Sequence, residues 1–314
     1  VGSSSSSYPL LFIKAFLRRC LKSKLTKNDE LHKIIIWDKK TGNHKPYERS
    51  YEMERKPYPT DLTDDQWSIV ARFLPLAAKT GRPREISLRE TVNAVLYIVR
   101  AGCAWRLLPH DFPAWQTVYW YFRKWKKDGT WEEMHNILFR ETRVRAGRDP
   151  EPSLGIIDSQ SVKTTDRGGV SGYDGGKKIS GRKRHILTDV LGLIITVVVH
   201  SAGIQDREGA RILFPGIFDR FGRLEVILGD GGYTGRLIGW LRQNFSLLLE
   251  IVTRPAESRG FVLLPRRWIV ERTFAWLNRH RRLSKDYEYL TDTSEVMIQI
   301  AMIGIMLHRL APEN

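Results

Sequence analysis

Three carboxylates stand where an acid is either costly or conspicuous. Asp158 follows the apolar pair Ile156 and Ile157 and leads into Ser159-Gln160-Ser161-Val162-Lys163. Asp230 closes an apolar run and enters Gly231-Gly232-Tyr233. Glu271 lies inside Trp268-Ile269-Val270-Glu271-Arg272-Thr273-Phe274-Ala275-Trp276-Leu277, whose apolar spacing is helical. An acid in such a stretch is unfavourable unless it is paired or holds a cation. Acids at strand ends sit where open α/β sheets bind ligands. Mg2+ takes oxygen ligands, commonly a few carboxylates with phosphate and water filling the octahedron. Two such ions about 3.5–4 Å apart can activate an attacking oxygen and stabilise a leaving one. Each ion also offsets the repulsion within a carboxylate cluster. Singly, the three acids have plainer readings: Asp-Gly is a favoured turn dipeptide, and a helical Glu usually faces solvent. Their combination is what points to metal-dependent phosphoryl chemistry.

Cations gather near the first acid. Lys177, Lys178, Arg182, Lys183, Arg184 and His185 follow or interrupt a run of glycines (168, 169, 172, 175, 176 and 181). They are expected to lie near the acids and hold phosphates. A hairpin edge that uses Lys against aggregation would look similar. The glycines form no P-loop, because no Gly-Lys-Ser/Thr follows at the required spacing. Gly81-Arg82-Pro83-Arg84 has the composition of a minor-groove arm, or of a linker into the next helix. Arg123, Lys124, Lys126 and Lys127 could grip phosphates or form a solvated helix face.

Elements that could position these groups follow from periodicity and caps. Four helices are expected within 61–147. Thr63-Asp64-Asp65-Gln66 and Ser87-Leu88-Arg89-Glu90 are capping boxes, and Gly102 and Gly129 are stops. Short basic helices joined by tight turns suit a helix-turn-helix module or an ordinary bundle. A Gly/Arg/Pro stretch at 147–153 reads as a domain boundary. Beyond it the pattern becomes α/β. Strands are expected at 155–158, 224–228 and 247–252, and a hairpin pairs 184–188 with 193–200 around Asp189–Gly192. Helices are expected at 207–218, 234–244, 268–282 and 294–310.

The 314 residues carry 51 Lys and Arg against 35 Asp and Glu, a formal charge of +16. This excess suggests a polyanionic partner, nucleic acid first. An apolar fraction of 42% excludes wholesale disorder. Two cysteines, Cys20 and Cys103, are too few for a disulfide framework or a cysteine-rich zinc site. No apolar run reaches the ~18 residues of a membrane span. Residues 1–52 read differently from the rest, with a serine run and 11 basic against 5 acidic residues. The first Met is Met53. The expectation is a leader over 1–55, disordered or derived from an upstream frame, a helical DNA-binding domain over 56–148 and a catalytic domain over 153–314.

With these residues in place, the sequence closely resembles bacterial insertion-sequence transposases of the DDE type, in the large group named after insertion sequence five. The resemblance is carried by Leu62-Thr63-Asp64-Asp65-Gln66-Trp67, Gly81-Arg82-Pro83-Arg84, Gly102-Cys103-Ala104-Trp105-Arg106-Leu107-Leu108-Pro109 and Trp115-Gln116-Thr117-Val118-Tyr119. Downstream it is carried by the stretches after Asp158 and Asp230, by Gly181-Arg182-Lys183-Arg184-His185, and by the helix around Glu271. It covers residues 57–310.

The resemblance implies an α/β, ribonuclease-H-like catalytic domain, a mixed sheet flanked by helices, behind a small all-helical, helix-turn-helix-like domain. It implies Asp158, Asp230 and Glu271 as a metal-binding catalytic triad for Mg2+ or Mn2+, two ions. The family's Glu is accompanied by a Tyr, an Arg and a Lys. Arg267 stands four residues before Glu271, on the same helical face. Leu264 occupies the Tyr position and Asn278 the Lys position, with Arg279 beside it as the candidate substitute. DNA contacts are expected from Arg82, Arg84, Lys163, Lys177, Lys178, Arg182, Lys183, Arg184, Arg267 and Arg279. The implied partner is double-stranded DNA, namely terminal inverted repeats and target. A homodimer or larger assembly is implied on that DNA, in the bacterial cytoplasm at the nucleoid. The competing readings are a site-specific metal-dependent nuclease and a catalytically decayed DNA-binding relic.

Overall fold

The computed structural model describes residues 35–37, 44–46, 55–75, 85–166, 168–252 and 266–312. The chain divides into two units, Val1–Glu52 and Met53–Asn314. Among the described residues of the first, β1 (Ile35–Trp37) pairs antiparallel with β2 (His44–Pro46). The rest of the expected leader up to residue 54 lies outside the described residues, as do Arg82, Arg84 and Leu264, whereas Arg55 pairs with Asp61 and Glu90.

In the second unit, the capping box forms as its residues require. The Thr63 hydroxyl accepts from the Gln66 N–H, and the Gln66 side chain accepts from the Thr63 N–H, opening α1 (Asp64–Ala71). Ser87 caps α2 (Leu88–Ala101) by accepting from the Glu90 N–H. That helix ends at Gly102, whose left-handed φ of 73° suits glycine. α3 (Trp115–Lys127) and α4 (Thr130–Arg145) follow, separated by left-handed Gly129.

Six strands form the sheet: β3 (Leu154–Lys163), β4 (Gly172–Asp174), β5 (Ile179–Thr188), β6 (Ile194–Ser201), β7 (Val226–Gly229) and β8 (Leu248–Ile251). The order is β4-β5-β3-β7-β8, with β6 also beside β5. β3, β5 and β6 pair antiparallel, whereas β3, β7 and β8 run parallel. The β5–β6 turn is held by Asp189, whose carboxylate accepts from the Leu191 and Leu193 N–H groups. Parallel strands need a crossover, and α6 (Arg236–Phe245) supplies it between β7 and β8. α5 (Asp206–Leu213), α7 (Trp268–Asn278) and α8 (Thr291–Leu310) complete the flanking helices. The result is the ribonuclease-H-like mixed sheet that the resemblance implies.

Several features differ from expectation, among them the helices expected at 207–218 and 268–282, which end at Leu213 and Asn278. β3 does not end at Asp158 but continues to Lys163, because residues 159–163, all polar but Val162, pair with Gly181–His185 of β5. β4 was not expected at all. The helical segment and the sheet also share one continuous core. α8 packs against α1, α2, α4 and β6, so Val95, Leu138, Ile300 and Ile186 belong to the same buried cluster. The 147–153 turn thus joins two segments of one unit. Among the described residues no helix is long and apolar enough to cross a membrane.

Candidate active site

β3 and β7 pair in parallel only as far as Ile156 and Leu228. Two residues beyond that last pair stand Asp158, still on β3, and Asp230, immediately after the end of β7. Each carboxylate is anchored by a nearby backbone donor. Ser159 N–H donates to Asp158 Oδ1 over 2.7 Å, and Gly232 N–H donates to Asp230 Oδ1 over 2.8 Å. Glu271 enters from the first turn of α7, which packs on β3 and β5.

Arg267, at the N-terminal boundary of α7, joins the three. Its Nη2 lies 3.9 Å from Asp158 Oδ2, 3.6 Å from Asp230 Oδ2 and 3.7 Å from Glu271 Oε1. Four residues predicted from three separate stretches of chain therefore meet at one point. Burial pushes the Asp158 carboxyl up to about 6. The Ser159 N–H opposes that rise, Asp230 adds to it, and Arg267 and Lys177 oppose it. The oxygen donors have the chemistry a hard divalent cation requires, and a cationic group already stands at their focus. Among the described residues, however, no three His, Cys, Asp or Glu side chains are already gathered closely enough to hold an ion.

Behind the acids lies a polar layer of which sequence reading named Lys183 and His185 but missed Asp206 and His200. Ser159 Oγ donates to Asp206 Oδ1 over 2.9 Å, and Lys183 Nζ donates to the same oxygen over 2.9 Å. Lys183 also donates to the Ile204 carbonyl and lies 3.6 Å from Asp174. His185 and His200 stack with their ring nitrogens 2.8 Å apart, and burial holds His185 down at about 3. Gly209 makes room for this pair: a Cβ there would lie 2.4 Å from His185 Cε1. The signal for Asp206 was its place at a helix start, but the helix was expected to begin one residue later.

The expected cationic patch is split by the pleat. Arg182 and Arg184 are buried and face away from Lys183 and His185, as alternation on a strand dictates. Arg182 donates to the Val170, Glu288 and Tyr289 carbonyls and pairs with Asp286. Arg184 donates to the Leu283 and Lys285 carbonyls, and burial lowers it to about 10. The expectation that these two arginines grip phosphates is corrected. They bind the chain's own C-terminal segment, because a buried guanidinium needs its hydrogen bonds satisfied inside. Lys183 is likewise buried, committed to Asp206 and Ile204.

Lys163, Lys177 and Lys178 are exposed, and Lys177 Nζ reaches the Ser159 carbonyl at 2.8 Å, beside the acids. Arg279 is exposed beyond the other end of α7, and its carbonyl accepts from Arg100; the structure does not bring it to the acids. On α3, Gln116, Trp120, Arg123, Lys124 and Lys127 are exposed at helical spacing. Lys124 Nζ sits 5.3 Å from the Trp120 ring centre. Lys126 turns away to Asp292 and Thr293.

Comparison with known proteins gives two family matches. Residues 149–306 match the family described as "Transposase DDE domain", and residues 62–135 match "Putative transposase of IS4/5 family". An uncharacterized 16.2 kDa protein of insertion element IS402 from Burkholderia cepacia is 25% identical over 34% of this chain and 76% of its own length. The uncharacterized protein y4sN of Sinorhizobium fredii is 32% identical over 26% of this chain and 64% of its own. A "putative transposase for insertion sequence element IS402" from B. cepacia is 28% identical over 38% of this chain and 60% of its own. The last two relatives are thus matched over less than two thirds of their length. No solved structure matches.

Proposed function

The chain belongs to the DDE transposase family, and from that premise we propose that it cleaves the ends of its own insertion sequence and joins the freed 3′-hydroxyls to target DNA. Asp158, Asp230 and Glu271 are assigned as the residues that hold Mg2+ or Mn2+, two ions. When bound, such ions polarise the phosphoryl oxygens and favour the ionised form of the attacking oxygen. The reading is supported above all by one observation, the convergence of the three carboxylates on Arg267 Nη2.

Two in-line displacements make up the reaction. Water first replaces the 3′-oxygen at the element end. The liberated 3′-hydroxyl then replaces a bridging oxygen in the target strand. The chain's contribution is mainly position and charge. The Ser159 and Gly232 N–H groups orient the two aspartates. Lys177, beside them, and the exposed Lys163 and Lys178 bind the DNA backbone. The exposed face of α3, with Trp120, Arg123, Lys124 and Lys127, is assigned to the same duplex. Handling two element ends together calls for a dimer or larger assembly on the DNA. The site of action is the bacterial cytoplasm, at the nucleoid.

The test is a cleavage and joining assay with the full chain, plasmid DNA carrying the element ends, and Mg2+ or Mn2+. Asp230→Ala runs in parallel. End-specific nicks and joined products, both absent with the variant, are expected. Equal cleavage by both proteins would overturn the assignment of Asp230. Cleavage with no joined product would make the chain a nuclease, and binding without cleavage a relic.

A further inference from the structure

Two arginines that β5 buries contrast with Arg267, which is partly exposed. Arg182 is saturated, with donors on three carbonyls at 2.7 Å and an ion pair to Asp286. Arg184 donates to two further carbonyls. Arg267 is different. Its three ionic contacts are all 3.6 Å or longer, beyond hydrogen-bonding distance, and among the described residues its Nε, like that of Arg184, has no hydrogen-bond partner. It is held at the centre of the acids by charge and not by directional bonds.

We propose that Arg267 is an internal counter-ion that occupies the focus of the three carboxylates and must leave it before a divalent cation can bind. The inference rests on the assignment of these acids as the metal site. Three carboxylates at one point repel one another unless a cation relieves them. Arg267 supplies that cation from the same chain, at the start of the helix that carries Glu271. A divalent ion supplies more charge and closer bonds to the same oxygens, so the two cations compete. Arg267 thereby sets a threshold for metal entry while keeping the acids gathered before metal arrives.

This reading makes a prediction opposite in sign to that for an arginine that helps to bind metal. Mn2+ binding to the full chain would be measured without DNA, by electron paramagnetic resonance of the free ion and by calorimetry. Arg267→Gln and Arg267→Met should bind Mn2+ about tenfold more tightly than wild type. Arg279→Gln, with the same change in net charge away from the acids, should leave affinity unchanged. In metal-free buffer the Arg267 variants should melt at a lower temperature than wild type, and Mn2+ should raise their melting temperature more than it raises that of wild type. Should both variants be unfolded without metal, refolding on addition of Mn2+ supports the proposal and failure to refold overturns it. Unchanged or weaker Mn2+ affinity in the Arg267 variants also overturns it. Asp230→Asn distinguishes the two levels of failure. If it abolishes Mn2+ binding while Arg267→Gln binds no tighter, the metal site stands and the counter-ion does not. If Asp230→Asn binds Mn2+ as wild type does, the metal assignment fails and the inference with it.

Discussion

Replacing Arg182 with methionine separates an interior role from a DNA-binding one. Arg182 and Asp286 are both fully buried, with Nη1 3.1 Å from Asp286 Oδ1. Methionine fills part of the space but leaves Asp286, among the described residues, with the Ser294 hydroxyl and the Glu288 N–H as hydrogen-bond donors to its side chain. It also strips donors from the Val170, Glu288 and Tyr289 carbonyls. Removing one partner of a buried ion pair costs about 3–5 kcal/mol. In a unit of this size each kcal/mol shifts the melting temperature by about 2–4 °C, so a fall of about 6–20 °C is expected. Calorimetric melting of the full chain measures it, and fluorescence anisotropy with duplex DNA, below both transitions, measures binding. Affinity and its salt dependence should be unchanged. Adding Asp286→Leu should recover most of the lost stability, because a buried pair replaced by apolar groups is often nearly neutral. An unchanged melting temperature, with affinity lost and the salt slope reduced, would refute the interior assignment.

The surface lysines should behave in the opposite way. Lys163→Ala with Lys178→Ala should leave the melting temperature alone and make the slope of log affinity against log salt shallower by about 1–2. An unchanged slope across a salt series would remove both from the DNA contact set. His135, fully buried in α4, is held down at about 4 by burial. The unfolded chain binds that proton near 6.5 and the folded chain does not, so stability from this group is complete above pH 6.5 and is lost as pH falls towards 4. His135→Leu should flatten that limb of melting temperature against pH, whereas parallel curves for the two proteins would refute the account. Gly209→Ala would place a Cβ 2.5 Å from His200 Nε2. Such overpacking costs about 1–3 kcal/mol, so the melting temperature should drop by about 2–12 °C; no drop would show that the histidine pair can yield.

What was legible in the sequence was local. The Thr63–Gln66 box, the Ser87 cap and the Gly102 stop act within one turn of chain, and each appears where its residues require. The Asp189 turn was equally readable, because its carboxylate bonds to residues two and four places on. The three acids could be singled out because each interrupts an apolar pattern. β3 beyond Asp158 could not be read this way. Ser159, Gln160 and Ser161 gain strand character from β5, a partner about 25 residues away in the chain, and no apolar alternation announces them.

The same limit explains how the cations were misread. Arg182, Lys183 and Arg184 are adjacent in sequence, and adjacency suggested one patch. On a strand, adjacent side chains go to opposite faces, so Lys183 meets Asp206 while its neighbours meet the segment 283–289. Those partners lie up to about 100 residues downstream, and nothing at 182–184 names them. A positive formal charge therefore says how many cations a chain has, not which of them can meet a polyanion. Here the cations that the sequence groups most tightly are the ones the fold consumes. Those left at the surface are Lys177 beside the acids, Lys163 and Lys178, and Arg123, Lys124 and Lys127 on α3; in sequence the α3 run reads equally well as a solvated face. Arg267 belongs to neither group. It is drawn inward by three carboxylates but bonded firmly to none, and a cation in that position can be exchanged for another.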